Sequence, residues 1–112
     1  MGPPVDIYEG QNELVAKVDL PGVEEKDIDV RIENNTLTIR GERKFEKSVN
    51  QDNYLRVERA YGSFTRTFSL PNTVNPEGIN ASYNQGVLTV HMPKREESKP
   101  KQVKINVSGN GK

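Results

Sequence analysis

Apolar and polar residues alternate with a period of two along most of the chain, which is the spacing of strands that bury one face and wet the other. Val5 and Ile7 alternate with Asp6 and Tyr8; Leu14, Ala16, Val18 and Leu20 with Val15, Lys17 and Asp19; Ile28, Val30 and Ile32 with Asp29, Arg31 and Glu33. Leu37 and Ile39 continue the pattern beyond Asn34-Asn35, and because Asn tolerates positive φ, a hairpin is predicted over 27–42. Residues 43–53 break the alternation and read as a long exposed loop. A short strand is predicted next in YLRVER, where Tyr54, Arg56 and Glu58 alternate with Leu55, Val57 and Arg59. Beyond Gly62, the series Phe64, Arg66, Phe68, Leu70 puts an arginine on an apolar side, and Pro71, Pro76 and Gly78 end that strand. INASY and VLTVHMP pair across Asn84-Gln85-Gly86, with Leu88, Val90 and Met92 on one face. EEKDI holds one helical turn at most. The sum is about eight short strands and no amphipathic helix, an all-β antiparallel two-sheet sandwich.

Composition supports this reading and limits it. Twelve Val and six Ile stand against six Leu, a β-branched bias that suits pleated surfaces. Leu, Ile, Val and Phe total 27 of 112 residues, little above the roughly 20% below which chains tend to stay disordered. The core should be modest, and burial between subunits would support it. No apolar run is long enough to span a membrane and no signal peptide opens the chain, so a soluble, cytoplasmic protein is expected. The absence of Cys removes disulfides and thiolate chemistry, and the single histidine, His91, is expected to face solvent. Glu24, Glu25, Asp27 and Asp29 lack the spacing of a calcium loop and read as a solvated turn. Neither a catalytic combination, nor a metal site, nor a cofactor is expected.

Net charge is zero, with 16 bases and 16 acids, yet the halves differ. Residues 1–33 hold nine acids and three bases, leaving thirteen bases and seven acids for the remainder. After Pro93 the chain becomes a charged linker, followed by an isolated alternating trio, Val103, Ile105 and Val107. Three apolar residues cannot form a core, so the trio needs a sheet to dock on. It is either a last strand of its own sandwich or an anchor on another subunit. The basic residues around it (Lys94, Arg95, Lys99, Lys101, Lys104) are interrupted by acids and lack aromatic partners, so no nucleic-acid contact is expected.

VDIYE, VDLPGVEEKDIDVRIENNTLTIRGER, YLRVERAYGSFTRTFSLP and ASYNQGVLTVHMPK, in this order and spacing, resemble the alpha-crystallin domain of small heat shock proteins, in the bacterial, archaeal and plant branch. The signature is carried by Leu20-Pro21-Gly22 and by Ala81 with Gly86, Val87 and Leu88; Ile105-Asn106-Val107 resembles the family's C-terminal I-x-I/V anchor. The resemblance implies an immunoglobulin-like sandwich over 5–94, a residual segment 1–4 where relatives carry a longer arm, expected here to be largely absent, and a flexible extension 95–112. It implies that Ile105 and Val107 dock between neighbouring strands, with Val30, Ile32, Leu88 and Val90 as the expected groove, although which parity faces the groove stays open. It also implies a homodimer in which the loop strand (Tyr54, Leu55, Arg56, Val57, Arg59) pairs with the first strand (Asp6, Ile7, Glu9) of the partner. Arg66 matches an arginine of the dimer region, where it would stack on rings, pair with a partner carboxylate, or snorkel at an edge. The implied activity is ATP-independent holding of partly unfolded client proteins in dimers and higher oligomers. The alternatives are an assembly domain that holds clients weakly and a co-chaperone of the same fold. Exposed charge pairs contribute only about 0–1 kcal/mol each, so the dimer is expected to weaken modestly at high salt.

Overall fold

Strands form where the alternation is cleanest. The computed structural model describes residues 2–45, 49–58 and 61–107, and among these the strands are β1 (Val5–Glu9), β2 (Glu13–Asp19), β3 (Ile28–Glu33), β4 (Thr36–Arg43), β5 (Gly62–Ser69), β6 (Asn80–Asn84) and β7 (Val87–Pro93). They pair antiparallel into two sheets, one ordered β1-β2-β7-β6 and the other β3-β4-β5. Helix is confined to single 3-10 turns, one of them at Glu25–Asp27.

The central strands carry the fully buried core. Leu14, Ala16 and Val18 of β2, Leu37 and Ile39 of β4, and Leu88, Val90 and Met92 of β7 close on one another, with Leu20, Val23, Leu70 and Val74 from the connections. Each such aliphatic side chain contributes about 1.5–3 kcal/mol on full burial. The edge strands supply half-buried neighbours instead, among them Val5, Ile28, Val30, Phe64, Phe68 and Tyr83.

Two tight turns fix register. Asn34 and Asn35 both have positive φ (51° and 60°), as do Gln85 and Gly86 (51° and 79°), the conformation whose twist matches a two-residue hairpin. The second turn packs against the first signature motif: the Leu20 amide donates to the Gly86 carbonyl at 2.6 Å, and a Cβ on Gly86 would stand 3.1 Å from Pro21 Cα. The two segments that carry the family resemblance therefore touch.

Three expectations change. Tyr54–Glu58 is not a strand in this chain, so seven strands form among the described residues where about eight were expected. A strand needs a hydrogen-bonding partner, and none is supplied among the described residues. Val15, on the wet parity of β2, is buried because Tyr8 and His91 flank it in register across β1 and β7. The linker also begins later than composition suggests. The Lys94 amide donates to the Asn12 carbonyl (2.9 Å) and the Arg95 amide to that of Thr73 (2.7 Å), pinning the chain to the sandwich through Arg95.

Candidate assembly interface

The edge strands lie in pairs along two sides of the sandwich, and the two seams differ. On one side, Ile28 and Val30 of β3 face Ala81, Ser82 and Tyr83 of β6 and Leu88 of β7 across a cavity of about 250 Å³, with Glu25 at its rim. β3 and β6 belong to different sheets, so no ladder closes this gap. Of the expected groove residues, Val30 and Leu88 line it, Ile32 packs half-buried against the core, and Val90 is fully buried within the core. Strand order does not separate them, since Val30 and Ile32 share β3 and Leu88 and Val90 share β7; position along each strand does.

Tyr83 gives the groove a fixed wall. Its hydroxyl lies within hydrogen-bonding distance of the carbonyls of Leu20 and Val23, 2.7 Å for Val23. Partial burial among these groups pushes the phenol pKa above its ordinary value. Alternation alone marks Tyr83 as inward-facing but not its hydroxyl contacts, which join residues 60 or more positions apart.

The apolar trio stands away from this groove. Val103, Ile105 and Val107 are 82%, 84% and 89% exposed, and the chain from Lys99 onward forms no strand among the described residues.

The opposite seam is bridged by the chain itself, and a cavity of about 390 Å³ remains between Pro3, Pro4, Asp19, Tyr61 and Phe64. Gly2-Pro3-Pro4 runs beside β5, Arg66 donates through its guanidinium to the Pro3 carbonyl, and the Asp19 amide reaches the Pro4 carbonyl. Arg66 stands in register with Ile39 on the inner parity of its sheet. Its stem leaves the core at the edge, and its charge sits 5.0 Å over the Phe68 ring.

The proposed exchange elements are both unpaired. The outer edge of β1, with Asp6, Ile7 and Glu9 exposed, has no neighbouring strand among the described residues. Leu55 is fully exposed, and Val57 and Arg56 are exposed beside it; Tyr54 is half-buried, and Arg59 lies outside the described residues. Charges near both elements are partly used within the chain, since Glu9 accepts an ion pair from the nearly buried Lys94 at 2.7 Å and Arg56 pairs with Glu58 at 3.2 Å. His91 is half-exposed, with its Nδ1 3.1 Å from a Glu13 carboxylate oxygen. No group of three or more acidic, histidine or cysteine side chains that could hold a metal ion occurs among the described residues, and none of their helices is long and apolar enough to cross a membrane.

These features coincide with known proteins. The profile of the Hsp20/alpha crystallin family matches residues 6–108. Small heat shock protein C4 of Rickettsia felis is 41% identical over 106 residues, covering 95% of this chain and 65% of that protein. The 17.8 kDa class I heat shock protein of Arabidopsis thaliana is 47% identical over 108 residues, covering 94% of this chain and 69% of that protein. A solved small heat-shock protein from Xylella fastidiosa superimposes with a TM-score of 0.79 at 41% identity, covering 96% of this chain and 98% of the other. The chain therefore belongs to the Hsp20/alpha crystallin family, a family of non-enzymatic small heat shock proteins.

Proposed function

We propose that the protein is an ATP-independent holdase, located in the cytoplasm, that binds partly unfolded proteins and prevents their aggregation. One observation carries this reading: the chain leaves an apolar groove open at β3/β6 while exposing an apolar trio, Val103, Ile105 and Val107, that it does not bury itself. Docking Ile105 and Val107 into the groove of another subunit satisfies both. A single docked tail is weak, because two buried side chains must offset the cost of ordering the segment. Several acting within one assembly become strong through effective concentration. Each release then uncovers a groove and unpaired strand edges, surfaces suited to extended, partly unfolded chains.

Dimers form in this reading when the 54–59 segment pairs with β1 of a second copy. Its basic residues lie in the basic part of the chain and β1 in the acidic part, and a two-fold axis makes that complementarity occur twice.

At equimolar ratio, without nucleotide, the protein is expected to suppress the light scattering of a heat-aggregating enzyme; undiminished scattering contradicts the holdase reading. That outcome would favour an assembly domain with weak client holding; the chain spans 65% of the length of the Rickettsia relative.

A further inference from the structure

The excursion between β4 and β5 leaves the sheet after Arg43 and returns at Gly62, the terminal pair of that ladder. A loop this long has no inherent reason to hold a direction, yet its neck is closed by side chains. Phe45 and Tyr61 face each other across the neck, ring centroids 4.1 Å apart and 8° from parallel. Tyr54 reaches the same Phe45 ring edge-on, at 5.5 Å and 65°. Lys44 ties one side of the neck to the turn before β3 through an ion pair with Asp27 at 3.2 Å. On the other side, Gly62 takes a φ of 101° that residues with a side chain rarely adopt.

Three of the chain's seven Phe and Tyr residues gather here, and none of them belongs to the core cluster. The Tyr54 hydroxyl is buried with no hydrogen-bond partner among the described residues, so ring packing is what this tyrosine contributes. Immediately after it come fully exposed Leu55 and exposed Val57. The aromatic group therefore fixes the start of the segment that has no partner of its own.

We propose that Phe45, Tyr54 and Tyr61 form an aromatic clasp that positions the 54–58 segment for pairing with the β1 edge of a second copy of this chain. The inference rests on the strand-exchange reading of the dimer and adds the residues that set its strength. Ordering a free segment opposes association, and a segment already held at one end loses less freedom on docking. Edge-on and stacked aromatic pairs provide such a hold without a large buried area.

The test is a dilution series of the 112-residue chain, with monomer and dimer counted by native mass spectrometry and sheet content followed by far-ultraviolet circular dichroism. Phe45→Ala and Tyr61→Ala are expected to raise the dimer dissociation constant by about tenfold with the sheet spectrum intact. Phe45→Tyr and Tyr54→Phe, which keep the rings, are expected to stay within about twofold of wild type. Leu55→Asp/Val57→Asp reports separately on exchange. If it leaves the dimer unchanged, the exchange reading fails and the clasp with it. If it dissociates the dimer while Phe45→Ala and Tyr61→Ala do not weaken it, exchange stands and the clasp is overturned. Equal weakening by Phe45→Ala and Phe45→Tyr also overturns it. Should Phe45→Ala or Tyr61→Ala lose sheet structure, Tyr54→Ala against Tyr54→Phe decides the matter by the same criterion.

Discussion

The two seams of the sandwich face the same physical problem and solve it differently. Both lie between edge strands of different sheets, where half-buried apolar side chains meet water. At the β1/β5 side the chain's own Pro3 and Pro4 bridge the gap and Arg66 fastens them from within, leaving a cavity of about 390 Å³ beside them. At the β3/β6 side, Ile28, Val30, Ala81 and Leu88 line an open cavity whose wall is fixed by the Tyr83 hydroxyl. A seam bridged by the chain's own segment adds to fold stability. An open, rigid one costs the isolated chain some exposed apolar surface and keeps a site ready for an occupant.

Substitutions on the two sides should therefore separate folding from association. The largest loss of fold stability is expected for Arg66→Ala, which removes a charge-assisted hydrogen bond and a ring contact together, about 2 kcal/mol in urea unfolding. A loss below about 0.5 kcal/mol, the size of an ordinary surface change, would make the bridge across this seam energetically empty. Val30→Asp, at the rim of the open seam, is expected to lower fold stability by only about 1 kcal/mol while reducing assembly mass. An equally large change in unfolding would erase the distinction between the seams.

The smallest effect concerns alkaline pH. The phenol pKa of Tyr83 is raised by desolvation, so the folded state favours the neutral form. The contribution is fully present below the unfolded-chain pKa and is lost as pH rises through the higher folded value. Tyr83→Phe should flatten that part of the stability profile in thermal melts, and a profile unchanged by the substitution would remove Tyr83 as its source.

The sequence made the two halves of this picture unequally readable. β2, β4 and β7 followed from alternation because each is interior to its sheet and buries its apolar residues of one parity, although Val15 of β2 is buried on the other. Asn34-Asn35 was readable because few residues tolerate positive φ. The edges were harder. Val90 and Val30 look alike in the pattern, yet Val90 lies wholly in the core while Val30 lines the groove, as does Leu88 on the same strand as Val90. Tyr54–Glu58 has strand alternation but no neighbouring strand among the described residues to make it one. The Phe45, Tyr54 and Tyr61 cluster carries no periodic signal, since it joins the two ends and the middle of a loop.

The central claim is that the open seam is filled by the tail of another subunit. Each of Ile105 and Val107 offers about 1.5–3 kcal/mol on burial, so their joint removal should be decisive for assembly and silent for folding. The direct measurement is the native mass of the wild type beside Ile105→Ala/Val107→Ala by multi-angle light scattering. The account requires a wild-type oligomer that falls to the dimer in the double substitution with an unchanged far-ultraviolet circular dichroism spectrum. An unchanged mass would contradict it.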